Sequence, residues 1–229
     1  MSEYDSEEVF YPETDGKPMA ETDTHRNNMI DLILMLRSHF RHQPEVYVTG
    51  NILLYYVKGD NTKSVSPDMM VVRGVGNRER DTYKTWEEGK GPDVVIEVTS
   101  CWTQFEDIEK KDLYEQVLRV PEYFLYDPFQ HYLEEGMHGY RLVEGRYQEM
   151  KPIVPRRWWS EELKLELVFA GTRLRLYDPA IGEYLLTPEE IAVRIEEEVR
   201  ARREAEMIVE IARLRAEPER LKKEKNLEP

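Results

Sequence analysis

A charged residue inside an otherwise apolar run constrains the fold of this chain more than any other feature of its sequence. The run covers residues 93–100 (DVVIEVTS) and is typical of a fully buried strand, apart from Glu97. An unpaired ionised carboxylate in an apolar layer costs on the order of several kcal/mol. Glu97 is therefore expected to be protonated, paired with a base or bound to a cation.

A second acid, Asp68, opens another short apolar run at residues 69–72 (MMVV). Both runs fit interior strands, and the ends of such strands can present two acids to one ion while their apolar neighbours fill the core. We therefore take Asp68 and Glu97 as the centre of the candidate site.

A helix is expected to precede these strands, from about residue 23 or 24 to a stop before Pro44. Continued backwards, its apolar stripe reaches His25 and Glu21. These two residues are either a capping acid and a satisfied core histidine or further members of the site. The stripe recurs at spacings of four, three and four residues, at Met29, Ile33, Leu36 and Phe40.

The order of the remaining elements predicts an α/β fold in which helices flank a mixed β-sheet. After the first helix we expect three strands, the strand that carries Glu97, a helix, another strand, and one or two hairpins. The expected ranges are 45–49, 52–57, 68–73, 93–100, 104–119, 122–127, 139–150 and 163–177. The long connection at 74–91 carries Arg78, Arg80 and Lys84, which are candidates for phosphate contact unless the loop is simply solvated.

The ends of the chain differ in composition from its middle. Residues 1–12 are acidic and poor in apolar side chains, which predicts a flexible arm, and residues 13–187 form the folded domain. Residues 188–229 predict a charged helical tail, with a helix from Glu189 to about Glu217 that ends at Pro218. Its broken apolar stripe allows either a self-pairing coiled coil or a lone exposed helix.

The net charge of −14 argues against a basic nucleic-acid-binding face. Half of this excess lies in residues 1–23, which hold eight acids and one lysine, so the middle of the chain is nearly balanced. The single cysteine, Cys101, and the lack of a signal peptide or a membrane-spanning run predict a cytoplasmic protein with no membrane partner.

Several segments together resemble the Uma-two family of restriction-endonuclease-like proteins. The resemblance covers roughly residues 10–190 and implies the PD-(D/E)-x-K nuclease fold. It rests on ETDG at 13–16, Glu21 with His25, SPD at 66–68, PDVVIEVTS at 92–100, KKDLY at 110–114 and PEYFLYDP at 121–128.

The resemblance also implies a function and a set of site residues. In that superfamily, two acids bind Mg²⁺ or Mn²⁺ and a lysine two residues after the second acid acts on the phosphate of a nucleic acid. Carried over, Asp68 and Glu97 are the metal ligands, DNA is the expected substrate, and a homodimer is expected. Thr99 stands where the lysine would be, so the lysine is displaced or the site is inactive.

The helix after the site strand offers two replacements, Lys110 and Lys111, which its geometry separates. At about 100° per residue, Leu113, Tyr114 and Val117 lie within about 60° of Lys110, whereas Lys111 points about 100° away. Lys110 is therefore the predicted catalytic lysine. Two alternatives remain open: a catalytically inactive binding module with the nuclease fold, and an assembly protein that acts through its tail helix.

Overall fold

The computed structural model of the protein describes residues 9–14, 16, 22–99 and 104–225. A helix, five strands and a short helix precede the strand that carries Glu97. A helix that continues as a π-helical segment at Leu113–Val117 follows this strand, and then come seven strands and a C-terminal helix. In chain order they are α1 (Asp23–His39), β1 (Val46–Thr49), β2 (Leu54–Tyr55), β3 (Ser64–Val65), β4 (Met69–Arg73), β5 (Tyr83–Lys84), α2 (Thr85–Glu88), β6 (Val94–Val98), α3 (Gln104–Asp112), β7 (Glu122–Tyr126), β8 (Met137–Val143), β9 (Arg146–Met150), β10 (Arg157–Ser160), β11 (Leu165–Ala170), β12 (Arg173–Asp178), β13 (Glu183–Tyr184) and α4 (Pro188–Lys225).

The central sheet has the strand order β1-β4-β6-β7-β8-β9. Only β6 and β7 are parallel in it, and they are joined by the crossover through α3, while the other pairs are antiparallel. The described strands also form a four-stranded sheet, β10-β11-β12-β13, and a small sheet, β3-β2-β5. The fold is thus the predicted α/β architecture, with mixed sheets flanked by helices and a C-terminal helix.

Each face of the central sheet is covered by a separate apolar cluster. Alternate residues of β6 divide between them: Val94, Ile96 and Val98 pack with α1 and the four-stranded sheet, whereas Val95 packs with the small sheet and Tyr114. Because side chains alternate along a strand, Glu97 lies on the same face as Val95 and points toward α3. The whole of β6 is buried, as its composition predicts.

The N-terminal segment corrects one prediction. Residues 9–12 were expected in a flexible arm, yet they pack against the fold: the hydroxyl of Tyr55 donates to the carbonyl of Pro12 at 2.7 Å, and the ring of Tyr11 contacts Tyr55 and Trp86. Residues 1–8 of the predicted arm lie outside the described residues.

Two helix predictions also need correction. Val117 was expected on the buried side, but 55% of it is exposed. The reason is the π-helical turn, in which the backbone N–H of Leu118 donates to the carbonyl of Leu113, five residues earlier, and the helix phase shifts. In addition, α4 does not end at Pro218 but continues to Lys225, because the sequence after Pro218 is rich in strong helix formers.

The chain divides into two compact units, residues 1–185 and 186–229. The predicted domain boundary after Thr187 lies two residues beyond this division.

Ion pairs at spacings of three and four residues line α4, for example Arg194 with Glu198 and Arg202 with Glu206. In the part of the chain that the structure describes, no helix has both the length and the apolar character needed to cross a membrane.

Candidate active site

The pairing of β4 with β6 brings the two predicted acids together. Met69 lies opposite Ile96 in this antiparallel pair, so Asp68, the residue before Met69, comes beside Glu97, the residue after Ile96. The backbone N–H of Val98 then donates to Oδ2 of Asp68 at 2.8 Å. The end of two adjacent strands therefore positions both acids, as the sequence predicts.

Asp68 is held by groups from three elements. In addition to the contact from β6, Nε2 of His25 on α1 donates to Oδ2 of Asp68 at 2.9 Å. Burial alone would raise the pKa of Asp68, but the hydrogen bond from His25 and the charge of Lys110 hold it below its ordinary value. His25 was expected to be either a core histidine or a further member of the site. Its contact with Asp68 favours the second interpretation.

Glu97 is almost completely buried, with 1% of its surface exposed. Its Oε2 accepts a hydrogen bond from Nζ of Lys110 at 2.9 Å, and its Oε1 accepts one from the hydroxyl of Tyr114 at 2.6 Å. Burial raises the pKa of Glu97 to about 7, with a smaller contribution from the negative charge of Asp68 and against the opposing charge of Lys110. Glu97 is thus paired with a base, and its raised pKa also favours the protonated form below about pH 7, so the structure shows two of the three states expected for it.

The two neighbouring lysines occupy different environments. Burial would lower the pKa of Lys110, but the charges of Glu97 and Asp68 outweigh it and raise this pKa above its ordinary value, so the ammonium stays charged. The side chain of Lys110 keeps 26% exposure, which leaves it open to a substrate. Nζ of Lys111 lies instead over the ring of Tyr140, 4.3 Å from its centroid. The predicted helix phase is correct at this position.

Thr99 takes part in a network of three oxygens. Its hydroxyl donates to Oδ2 of Asp107 on α3, and the hydroxyl of Tyr132 lies 2.7 Å from both Oγ1 of Thr99 and Oδ2 of Asp107. Asp107 is 5% exposed, and burial raises its pKa. The position that would carry the lysine in the family pattern is therefore filled by a hydroxyl bound to a buried carboxyl group.

Sequence reasoning assigned no site role to Asp107, Tyr114 or Tyr132, although it placed Tyr114 on the inward helix face. The first two carried a usable signal, since Asp107, Lys110 and Tyr114 recur at spacings of three and four and so share one helix face. Tyr132 lies in a loop, where no periodicity reports the direction of a side chain. Its position depends on Asp127, whose carboxylate accepts from the backbone N–H of Tyr132 at 2.9 Å.

The bases predicted to contact phosphate all have acidic partners. Arg78 and Arg80 both pair with Glu88, at 2.7 and 2.8 Å, and Lys84 pairs with Glu87 at 3.2 Å. The side chain of Arg80 is 2% exposed, with its guanidinium 4.1 Å above the ring centroid of Tyr47. These contacts give Arg80 a structural role, and phosphate contact by the three bases stays a prediction.

Two predicted residues lie outside the described residues: Glu21, the possible additional site acid, and Cys101.

The two acids could bind a divalent cation such as Mg²⁺, but they would supply only some of its ligands. Among the described residues, no three His, Cys, Asp or Glu side chains come together as a ready-made metal site. Mg²⁺, however, is commonly held by one or two carboxylates, with water and substrate phosphate completing its octahedron. Asp68 and Glu97 supply such a pair, and both hydrogen bonds recorded for Asp68 end on Oδ2, which leaves Oδ1 for an ion.

Comparisons with known proteins identify the family of the chain and one similar solved structure. A solved structure of a putative nuclease belonging to DUF820 from Anabaena variabilis ATCC 29413 is similar to this chain, with 18% identity, a TM-score of 0.48, and coverage of 70% of this chain and 92% of that one. No curated protein matches the chain. The sequence model of the Uma2 family, described as "Putative restriction endonuclease", matches residues 4–176, about three quarters of the chain. The chain therefore belongs to the Uma2 family, the family that the sequence motifs resemble.

Proposed function

We propose that the protein is a Mg²⁺- or Mn²⁺-dependent endonuclease that hydrolyses phosphodiester bonds of DNA. The observation that supports this most is the hydrogen bond from Lys110 to Glu97, beside Asp68. It supplies a cation from α3 to the acid pair, although the strand position that would carry the lysine is occupied by Thr99.

Asp68 and Glu97 would hold the ion, which polarises the phosphate and acidifies a water molecule when bound. Around it, the residues of the chain bind and orient. His25 fixes the carboxylate of Asp68, and Tyr114 fixes that of Glu97. This preorganisation means that little side-chain ordering remains to be done when the substrate arrives.

Lys110 is proposed to stabilise charge rather than to remove a proton. Its raised pKa keeps the ammonium protonated near neutral pH, so it is a poor base. A charged ammonium that is partly exposed can instead bind a non-bridging phosphate oxygen and offset the negative charge that develops there. Because the side chain of Lys110 stays partly exposed while its Nζ contacts Glu97, the ammonium can bind this oxygen without leaving Glu97.

A second candidate is a nuclease-fold module that binds nucleic acid without cutting it. The network of Thr99, Asp107 and Tyr132 favours it, because it fills the family lysine position with groups that carry no positive charge. The ion pair of Lys110 with Glu97 also fits a purely structural role.

Nicking of supercoiled plasmid DNA separates the two candidates. Wild type is expected to nick the plasmid with Mg²⁺ or Mn²⁺ and to stop when a chelator is added. Asp68→Asn and Glu97→Gln should be inactive while they keep the wild-type circular dichroism spectrum. If wild type cuts no plasmid with either metal but retains DNA in a filter-binding assay, the binding module is the correct function.

A further inference from the structure

The loop after β7 joins the candidate active site to an exposed pair of stacked rings. At one end, Tyr132 reaches Thr99 and Asp107 as described above. Three residues earlier, the ring of Phe129 stacks on the ring of His131, with centroids 5.4 Å apart and planes inclined at 22°. Half of Phe129 is exposed, at 49%, and His131 is exposed as well.

The loop is rigidly built, so the rings are held in place. Asp127 is fully buried, and its carboxylate accepts hydrogen bonds from the backbone N–H groups of Phe129, Tyr132 and Leu133 at 3.2, 2.9 and 3.2 Å. Gln130, between the two rings, has a left-handed backbone with φ of 54°, which turns the chain there. The base of the loop is closed by the N–H of Asp127, which donates to the carbonyl of Gly136 at 2.8 Å.

The rings belong to the same short loop segment as Tyr132, whose hydroxyl reaches the candidate site. Three residues span at most about 11 Å along the backbone, and the hydroxyl of Tyr132 contacts Thr99 and Asp107. A nucleic-acid strand bound at the candidate site can therefore extend along this loop and offer a base to Phe129.

The chemistry of the loop favours stacking over charge attraction. Two exposed acids, Glu134 and Glu135, follow the rings in the same loop and would repel a phosphate backbone. An aromatic face, in contrast, accepts any base that is free of its neighbours, whatever the sequence. A base inside an intact duplex has both faces covered and cannot use this surface.

We infer that Phe129, stacked on His131, is a binding site for an unpaired nucleobase next to the site of cleavage. The preferred substrate is then single-stranded DNA, or a frayed or looped region of a duplex. This inference deepens the proposed nuclease function and rests on it for the class of substrate, but its test measures binding without cleavage.

The test is fluorescence anisotropy of a labelled single-stranded oligonucleotide, alone and annealed to its complement, with chelator present to prevent cutting. Wild type is expected to bind the single strand more tightly than the duplex. Phe129→Ala should weaken single-strand binding on the order of tenfold and leave duplex binding unchanged, since one base–aromatic stack is lost. Phe129→Trp should retain binding, whereas Phe129→Leu should not.

Phe10→Ala is the matched control, because Phe10 is another exposed ring, at 77%, far from the loop in sequence. Equal loss in this control, equal loss on duplex and single strand, or no loss in Phe129→Ala would overturn the inference. So would a wild type that binds neither form. The nuclease proposal is judged separately by cleavage of plasmid DNA and of the same single-stranded oligonucleotide with Mg²⁺ or Mn²⁺: single-strand binding through Phe129 with no cleavage of either would sustain this inference and refute the nuclease.

Discussion

The ammonium of Lys110 lies 2.9 Å from Oε2 of Glu97, although the two residues are thirteen positions apart and belong to different elements. This contact joins α3 to β6 and supplies a positive charge to an acid pair in which Glu97 is buried and Asp68 is partly buried. If it serves catalysis, it has measurable consequences that a purely structural ion pair does not share.

Replacement of Lys110 by Ala is expected to reduce plasmid nicking by a factor on the order of 10² or more, the scale for one positioned electrostatic group. Lys111→Ala is the matched control and should remain within a few-fold of wild type, because Lys111 lies over Tyr140 and away from the acids. Both rates are measured at saturating metal. Loss of activity in the Lys111 variant alone would place the catalytic role on the other lysine.

Mg²⁺ or Mn²⁺ is expected to raise the melting temperature, because a cation relieves the repulsion between buried Glu97 and partly buried Asp68. Asp68→Asn and Glu97→Gln should each abolish this increase while the protein stays folded. The measurement is differential scanning calorimetry with and without metal. An equal increase in wild type and both variants would exclude these acids as the metal site, and Lys110→Ala should keep the increase, since Lys110 is not a ligand.

The pKa of Glu97 gives this metal effect a pH dependence. Because this pKa is raised to about 7, Glu97 is protonated below that pH, and an ion has to displace the proton to bind. Metal stabilisation should therefore grow as the pH rises through about 7 and then level off. Metal titrations followed by melting at a series of pH values test this, and a pH-independent increase would contradict it.

Stability without metal should depend on pH in the opposite sense. The folded state holds a proton on Glu97 between the ordinary value of 4.5 and about 7, where the unfolded chain has lost it. The contribution of Glu97 to the free energy of unfolding therefore falls as the pH rises through this window. Urea denaturation should show wild type losing stability relative to Glu97→Gln over this range, whereas a constant difference would argue against the raised pKa.

Removal of the Thr99 hydroxyl by Thr99→Val should destabilise the protein by about 1–3 kcal/mol, because buried Asp107 loses a hydrogen-bond donor. Thr62→Val, in which an exposed hydroxyl is lost, serves as the control and should cost less. Urea denaturation measures both. If the two changes cost the same, the network around Asp107 contributes no more than a surface contact.

Removal of residues 188–229 should leave the first unit folded, since both apolar clusters lie within residues 1–185. We propose that α4 mediates a homodimer, because large apolar side chains are exposed along it, among them Ile208, Ile211 and Leu214. Light scattering should then report a dimer for the full chain and a monomer for the shortened one. An insoluble or molten shortened chain would mean that the helix is part of the core.

The sequence alone determined the main features of the site because they depend on local pattern. An acid in a buried run predicted that Glu97 needs a partner, and the phase of a regular helix assigned Lys110 rather than Lys111 to the inward face. The same reasoning found Asp68, since an acid at the start of an apolar run is visible in one dimension. Each of these inferences needs only the period of a strand or a helix.

The tertiary structure decided the features that the period of a strand or a helix does not predict. The π-helical turn at Leu113–Val117 shifted the helix phase and exposed Val117, and the loop built on Asp127 brought Tyr132 to Thr99. A buried carboxylate can be protonated, paired with a base or bound to a cation. The packing of α3 against β6 brought Lys110 to Glu97 as its base. Such contacts join residues far apart in the chain, so their geometry is fixed only when the sheet and its helices pack together.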